Sequence, residues 1–210
     1  SDAPGDEWEE LDVSDTEADR IARKRDREFS EFRKRIKDAD QFKVEASVFD
    51  DATFAALYKL VQDGYIDAFG GPISTGKEAN VYSALGGTAA ADVLDLDENP
   101  EVAVKVYRIN ASDFRDMRGY LDGDPRFEGI GHDKKQIVQA CVRKESANLE
   151  RARKAGVRVP EPMAVERNVL VMELLGLDTG RAKRLAEVNV ENPETAYEVV
   201  REYMYRLYDA

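Results

Sequence analysis

Apolar residues change their spacing several times along the chain, and each change marks an element. Between Asp50 and Gly64, residues Phe54, Leu57, Leu60 and Val61 recur in steps of three and four. That spacing predicts a helix capped by Asp50 or Asp51 and stopped at Gly64. Strand-like runs then flank Gly71–Asn80, with Ile66, Ala68 and Phe69 before it and Val81, Tyr82, Ala84 and Leu85 after it. In Val102-Ala-Val-Lys-Val-Tyr107 strict alternation puts the valines on one face and Ala103, Lys105 and Tyr107 on the other. Ile137, Cys141, Glu145, Leu149 and Ala152 form one stripe of a helix from Lys134 to Arg153, closed by Gly156. Ala164-Val165 and Val169–Met172 pair as a hairpin across Arg167-Asn168, and from Glu194 the pattern is helical to the end.

The remaining stretches carry less pattern. Residues 1–14 are acidic and aperiodic and are expected to be disordered. Ser14-Asp-Thr-Glu17 has capping-box spacing and opens a charged helical extension over 15–47. Its sparse stripe of Ile21, Phe29, Phe32 and Ile36 is crowded by basic residues, which fits a solvated helix against the body or a binding arm. Gly86–Pro100 reads as a polar surface connection, and 109–133 as a long loop with a helical turn near Asp113–Leu121. Gly180 and Asn192-Pro193 bracket a short charged helix.

Composition narrows the function classes. The 210 residues, 42% of them hydrophobic, allow one good core or two small ones. No apolar run reaches membrane-spanning length, and the acidic N-terminus does not resemble a signal peptide. Cys141 is the single cysteine, which fits a reducing cytoplasm and excludes a cysteine-based zinc site. With His132 the single histidine, a serine or cysteine triad has little to rest on. The net charge of −12 opposes broad nucleic-acid binding, although a local basic patch leaves room for it. An excess of carboxylates, with lysine scarcer than arginine, suits a surface working in high salt.

Gly71-Pro-Ile-Ser-Thr-Gly-Lys-Glu-Ala-Asn-Val-Tyr82 then offers chemistry. Two glycines, two hydroxyls and a lysine in a tight turn suit either close backbone approach to a phosphate or an ordinary hairpin. Gly71, Gly76 and Lys77 match the start of a Walker A pattern. The match fails at Glu78, where a magnesium-binding Ser or Thr belongs, and the segment that follows is a strand rather than a helix. A strand–loop–strand lid, a lysine on the next strand and a helix glutamate to orient it make the protein-kinase arrangement instead. Alone, Lys105 could be an exposed lysine and Glu145 could reach water from the edge of its stripe. Together, each supplies the partner the other needs.

Ser74–Tyr82, Val102–Arg108, Gly119–Phe127, Lys144-Glu145 and Asn168–Glu173 resemble the RIO family of atypical serine/threonine protein kinases, most closely its first subfamily, which lacks a winged helix. The resemblance runs from about Val48 to the end. It implies an α+β, kinase-like N-lobe over 48–173, with an antiparallel sheet, a C helix and a flexible, autophosphorylated loop at 109–133. Residues 174–210 would be the hinge and the first helices of the C-lobe. It implies further that Lys105 contacts ATP phosphates and pairs with Glu145, and that Ser74 lies near those phosphates. Ile73, Val81 and Ala103 would line the adenine pocket, Met172 its back, and the Glu173 and Leu175 backbones would bind adenine. Ser112 is the hydroxyl available for autophosphorylation. The catalytic Asp and the Mg²⁺ ligands are expected beyond Ala210, so the stretch reads as the ATP-binding part of a longer chain. The implied partners are ATP, a protein substrate or the kinase itself, and the small ribosomal subunit during maturation. A non-catalytic nucleotide- or ribosome-precursor-binding module is the alternative.

Overall fold

A computed structural model describes residues 9–38, 49–109, 114–129, 133–177 and 180–210. Ser112 and His132 lie outside them. The chain divides into two compact units between Val48 and Phe49. In the first, the described residues form α1 (Glu9–Asp38). This helix starts ahead of Ser14, so Ser14 and Glu17 are interior positions and residues 9–14 are helical rather than disordered. Residues 1–8 lie outside the described residues.

The second unit opens with α2 (Asp51–Gln62). Asp50 is its cap: Oδ1 accepts the Thr53 amide at 2.8 Å and the Thr53 hydroxyl at 2.7 Å. Gly64, at φ +82°, turns the chain back so that the Tyr65 amide reaches the Leu60 carbonyl at 3.0 Å. Strands β1 (Ala68–Thr75) and β2 (Ala79–Leu85) follow, then α3 (Thr88–Leu94) and β3 (Glu101–Tyr107). The Gly86–Pro100 connection is therefore partly helical, and Ala90 and Ala91 are buried. Three consecutive alanines favour helix, and their small side chains let α3 seat beside the Gly64 turn, where the Ala89 amide donates to the Gly64 carbonyl.

Beyond β3 come α4 (Phe114–Leu121), a 3₁₀ turn at Pro125–Phe127, α5 (Lys134–Lys154), β4 (Pro162–Glu166) and β5 (Val169–Glu173). A two-residue hairpin, β6 (Gly176–Leu177) with β7 (Gly180–Arg181), precedes α6 (Pro193–Asp209). Where a short charged helix was expected, one 3₁₀ turn (Leu185–Glu187) forms instead.

Five antiparallel strands run in the order β1-β2-β3-β5-β4. Register aligns Val81, Lys105 and Leu170 across three strands, and Ser83, Ala103 and Met172 beside them. Directly opposed residues share a face, so these six point one way and Tyr82, Val104 and Val171 the other. On the latter face Phe49 stacks edge-on to both Tyr82 and Phe54 of α2. On the former, Tyr107 and Leu170 join Met117 and Leu121 of α4 and Ile137, Val138 and Cys141 of α5 in one buried cluster. The fold is α+β.

Candidate functional site

The strand alternation that buries Val102, Val104 and Val106 necessarily turns Lys105 to the α5 side of the sheet. Along α5, Glu145 lies one turn beyond Cys141 on the stripe that faces the sheet. The two side chains meet there. Lys105 Nζ donates to both Glu145 carboxylate oxygens at 2.8 Å, and each side chain keeps about a quarter of its surface exposed (24% and 26%). At that distance the gross attraction is about 6 kcal/mol at an effective dielectric near 20, before desolvation. The ammonium also lies 4.9 Å from the centre of the Tyr107 ring, two residues along the same face.

The pair opens into a cavity of about 710 Å³, within the range of small-ligand pockets. The β1–β2 turn supplies one wall through Ser74, Gly76, Lys77 and Glu78. Val81 and Tyr107 supply the floor beside Lys105, and Met117, Tyr120 and Cys141 close the far side. The turn is held from both ends: the Gly76 amide donates to the Ala79 carbonyl at 3.0 Å, and the Arg108 amide to the Glu78 carbonyl at 2.8 Å. Lys77 has no ion-pair partner among the described residues, so it is a second cation available to an anion in this space.

Of the residues singled out in the sequence, Ser74, Val81, Lys105 and Glu145 line this cavity. Ile73 does not; it sits at a register irregularity between Pro72 and Ser74, where the strand's alternation is interrupted. Ala103 and Met172 face each other across β3 and β5 on the cavity side of the sheet, but further along it. Glu173 ends β5, with its amide on the Glu161 carbonyl at 2.8 Å. The Leu175 carbonyl accepts the Ala182 amide at 2.8 Å, which leaves its N–H as the group it could offer a ligand.

Other residues of the site were not singled out. Tyr107 and Cys141 could have been found by counting two along the strand from Lys105 and one turn back from Glu145. Met117 and Tyr120 carry no such signal, because helix α4 reaches the cavity through tertiary docking. That docking is polar as well as apolar. Lys144, next to Glu145, lies 3.3 Å from Asp124 and over the Tyr120 ring. The Arg126 guanidinium, with Lys144 adding to it, holds the Asp124 carboxyl well below the usual carboxylate range. Burial, and secondarily the charge of Glu78, pushes the Cys141 thiol up, so it is a poor nucleophile near neutral pH.

Among the described residues no group of three His, Cys, Asp or Glu is placed to hold a metal ion. No described helix is long and apolar enough to cross a membrane. What the arrangement offers is a cavity with two lysines, a serine and a tight turn along one rim: anion binding beside an apolar floor.

A family model described as the RIO domain matches residues 80–210. The RIO-type serine/threonine-protein kinase Rio1 of Haloferax volcanii is 74% identical over 206 residues, covering 98% of this chain and 68% of that protein. Its counterpart in Methanocaldococcus jannaschii is 32% identical over 186 residues, covering 88% of this chain and 60% of that one. Serine/threonine-protein kinase RIO1 of Saccharomyces cerevisiae is 34% identical over 180 residues, 77% of this chain and 37% of that protein. The chain thus spans between about a third and about two thirds of the length of these relatives.

Proposed function

The chain belongs to the RIO family of serine/threonine kinases, and from that footing we propose that its cavity binds ATP for transfer of the γ-phosphate to serine, on a protein substrate or on the kinase itself. The observation that carries this reading is the Lys105–Glu145 pair at the cavity mouth. A lysine held by a carboxylate is oriented before the ligand arrives, and can meet the α- and β-phosphates without searching for a rotamer. Ser74 and the backbone around Gly76 would close over the phosphates, and Lys77 adds a second positive charge. Val81 and Ala103 would face the adenine ring, with Met172 behind it and Ile73 at the rim. The Glu173 carbonyl and Leu175 N–H would hydrogen-bond the base.

Phosphoryl transfer also needs a proton acceptor and Mg²⁺. We assign neither to a described residue, and the chain's own contribution is to bind and orient ATP. A cytoplasmic location and a role in small-subunit ribosome maturation are supported by the family resemblance. Titration of a fluorescent ATP analogue into the chain tests the reading. We expect saturable binding displaced by ADP, and at least tenfold weaker binding for Lys105→Ala with unchanged circular dichroism. Wild-type affinity in that variant would remove Lys105 from the site. Tight binding without transfer activity in the complete protein would favour the non-catalytic module.

A further inference from the structure

Nine of the chain's 31 lysines and arginines fall between Arg20 and Lys37, against three carboxylates, although the net charge of the whole is −12. They are not spread evenly around α1. With about 3.6 residues per turn, Arg20, Arg23, Lys24, Arg27, Lys34 and Arg35 fall on one face, interrupted by Glu31. The large apolar residues of this stretch, Ile21, Phe29, Phe32 and Ile36, fall on another.

All six cations are exposed. Arg20, Arg27, Lys34 and Arg35 have no ion-pair partner among the described residues. Arg23 and Lys24 reach Asp19 and Glu28 only at 3.9 Å, in exposed pairs that yield readily to a stronger anion. From Arg20 to Arg35 the face runs about 22 Å along the axis.

We propose that this face of α1 docks on the phosphodiester backbone of a duplex nucleic acid. A duplex presents about one charge per 1.7 Å of its length, so all six cations can find phosphates at once, and guanidinium forks match phosphate geometry. A membrane partner would require a broad apolar face, and this stretch carries four large apolar residues in a charged background. A single strand would call for aromatic rings among the cations, and the basic face has none. With no Asn or Gln on that face, contact is to backbone and is independent of base sequence. The rest of the chain is acidic and repels the same polyanion, which confines contact to α1. None of this depends on what the nucleotide cavity binds.

The test is fluorescence anisotropy with the whole chain and a labelled RNA hairpin of about 20 base pairs, repeated with DNA of the same sequence. KCl is raised from the lowest concentration that keeps the native circular dichroism. We expect RNA and DNA affinities within about threefold of each other, and log K falling against log salt with a slope steeper than about −4. Arg20→Gln, Arg27→Gln and Lys34→Gln combined should weaken binding at least tenfold and flatten the slope by about 3, because glutamine keeps helix propensity while removing charge. Lys59→Gln, a cation removed elsewhere, should change neither. No binding by the folded wild type, an unaffected triple variant, or equal competition by polyglutamate or anionic vesicles would overturn the proposal.

Discussion

Arg158 and Glu173 lock the end of β5 to the loop before β4. The guanidinium donates to both carboxylate oxygens, at 2.6 and 2.9 Å, and the same carboxylate accepts the Glu161 amide at 3.2 Å. The Arg158 hydrogen bond, outweighing partial burial and aided by the Glu161 amide, lowers the Glu173 carboxyl below its ordinary 4.5. A depressed carboxylate stabilises the fold above its unfolded pKa, and loses that effect as pH falls through the folded value. Glu173→Gln should therefore melt below wild type near neutral pH, with the gap closing as pH drops under about 4.5. Parallel thermal melts across that range measure it. A gap that stays constant with pH would mean the lock contributes no pH-dependent stability.

Glu145→Gln separates positioning from charge. It keeps the side chain's size but leaves Lys105 with a weaker acceptor in a site three-quarters closed to water. The expected outcome is a loss of ATP affinity of roughly fivefold to tenfold, smaller than that of Lys105→Ala, since the cation itself remains. Equal losses for both variants would mean that the glutamate does more than orient the lysine.

Asn168 ties three elements together. Its amide donates to the Thr53 hydroxyl in α2 and to the Tyr107 carbonyl at the end of β3, both at 2.9 Å. Asn168→Ala leaves these buried groups short of a donor, at a cost of about 2 kcal/mol. Urea unfolding should show the midpoint shift with little change in slope.

The carboxylate excess (43 Asp and Glu against 31 Lys and Arg) implies strong self-repulsion in dilute buffer. We expect helical circular dichroism to fall at low KCl and recover toward molar KCl as the charges are screened. A signal unchanged across the titration would show that repulsion does not limit folding.

Much of the site was legible because it rests on short-range periodicity. Two-residue alternation placed Ala103, Lys105 and Tyr107 together, and the four-residue steps from Ile137 to Glu145 put a carboxylate on an apolar stripe. Pairing the two then followed from charge. What stayed hidden depends on contacts distant in sequence. Nothing local to Met117 or Tyr120 says that α4 will wall the cavity, and the alanines of 89–91 read as a polar connection until Gly64 supplies the surface they pack on. The irregularity at Ile73 is likewise a property of the paired strands, not of one strand's sequence.

Cys141 and Ala152, buried on either side of Glu145 along α5, have one more consequence. A helix anchored by buried side chains both before and after Glu145 cannot rotate that residue away from Lys105 without unpacking the core. Glu145 is therefore a fixed post rather than a swinging gate. Met117 and Leu121 tie α4 into the same buried cluster, so any control over this cavity is left to the β1–β2 turn.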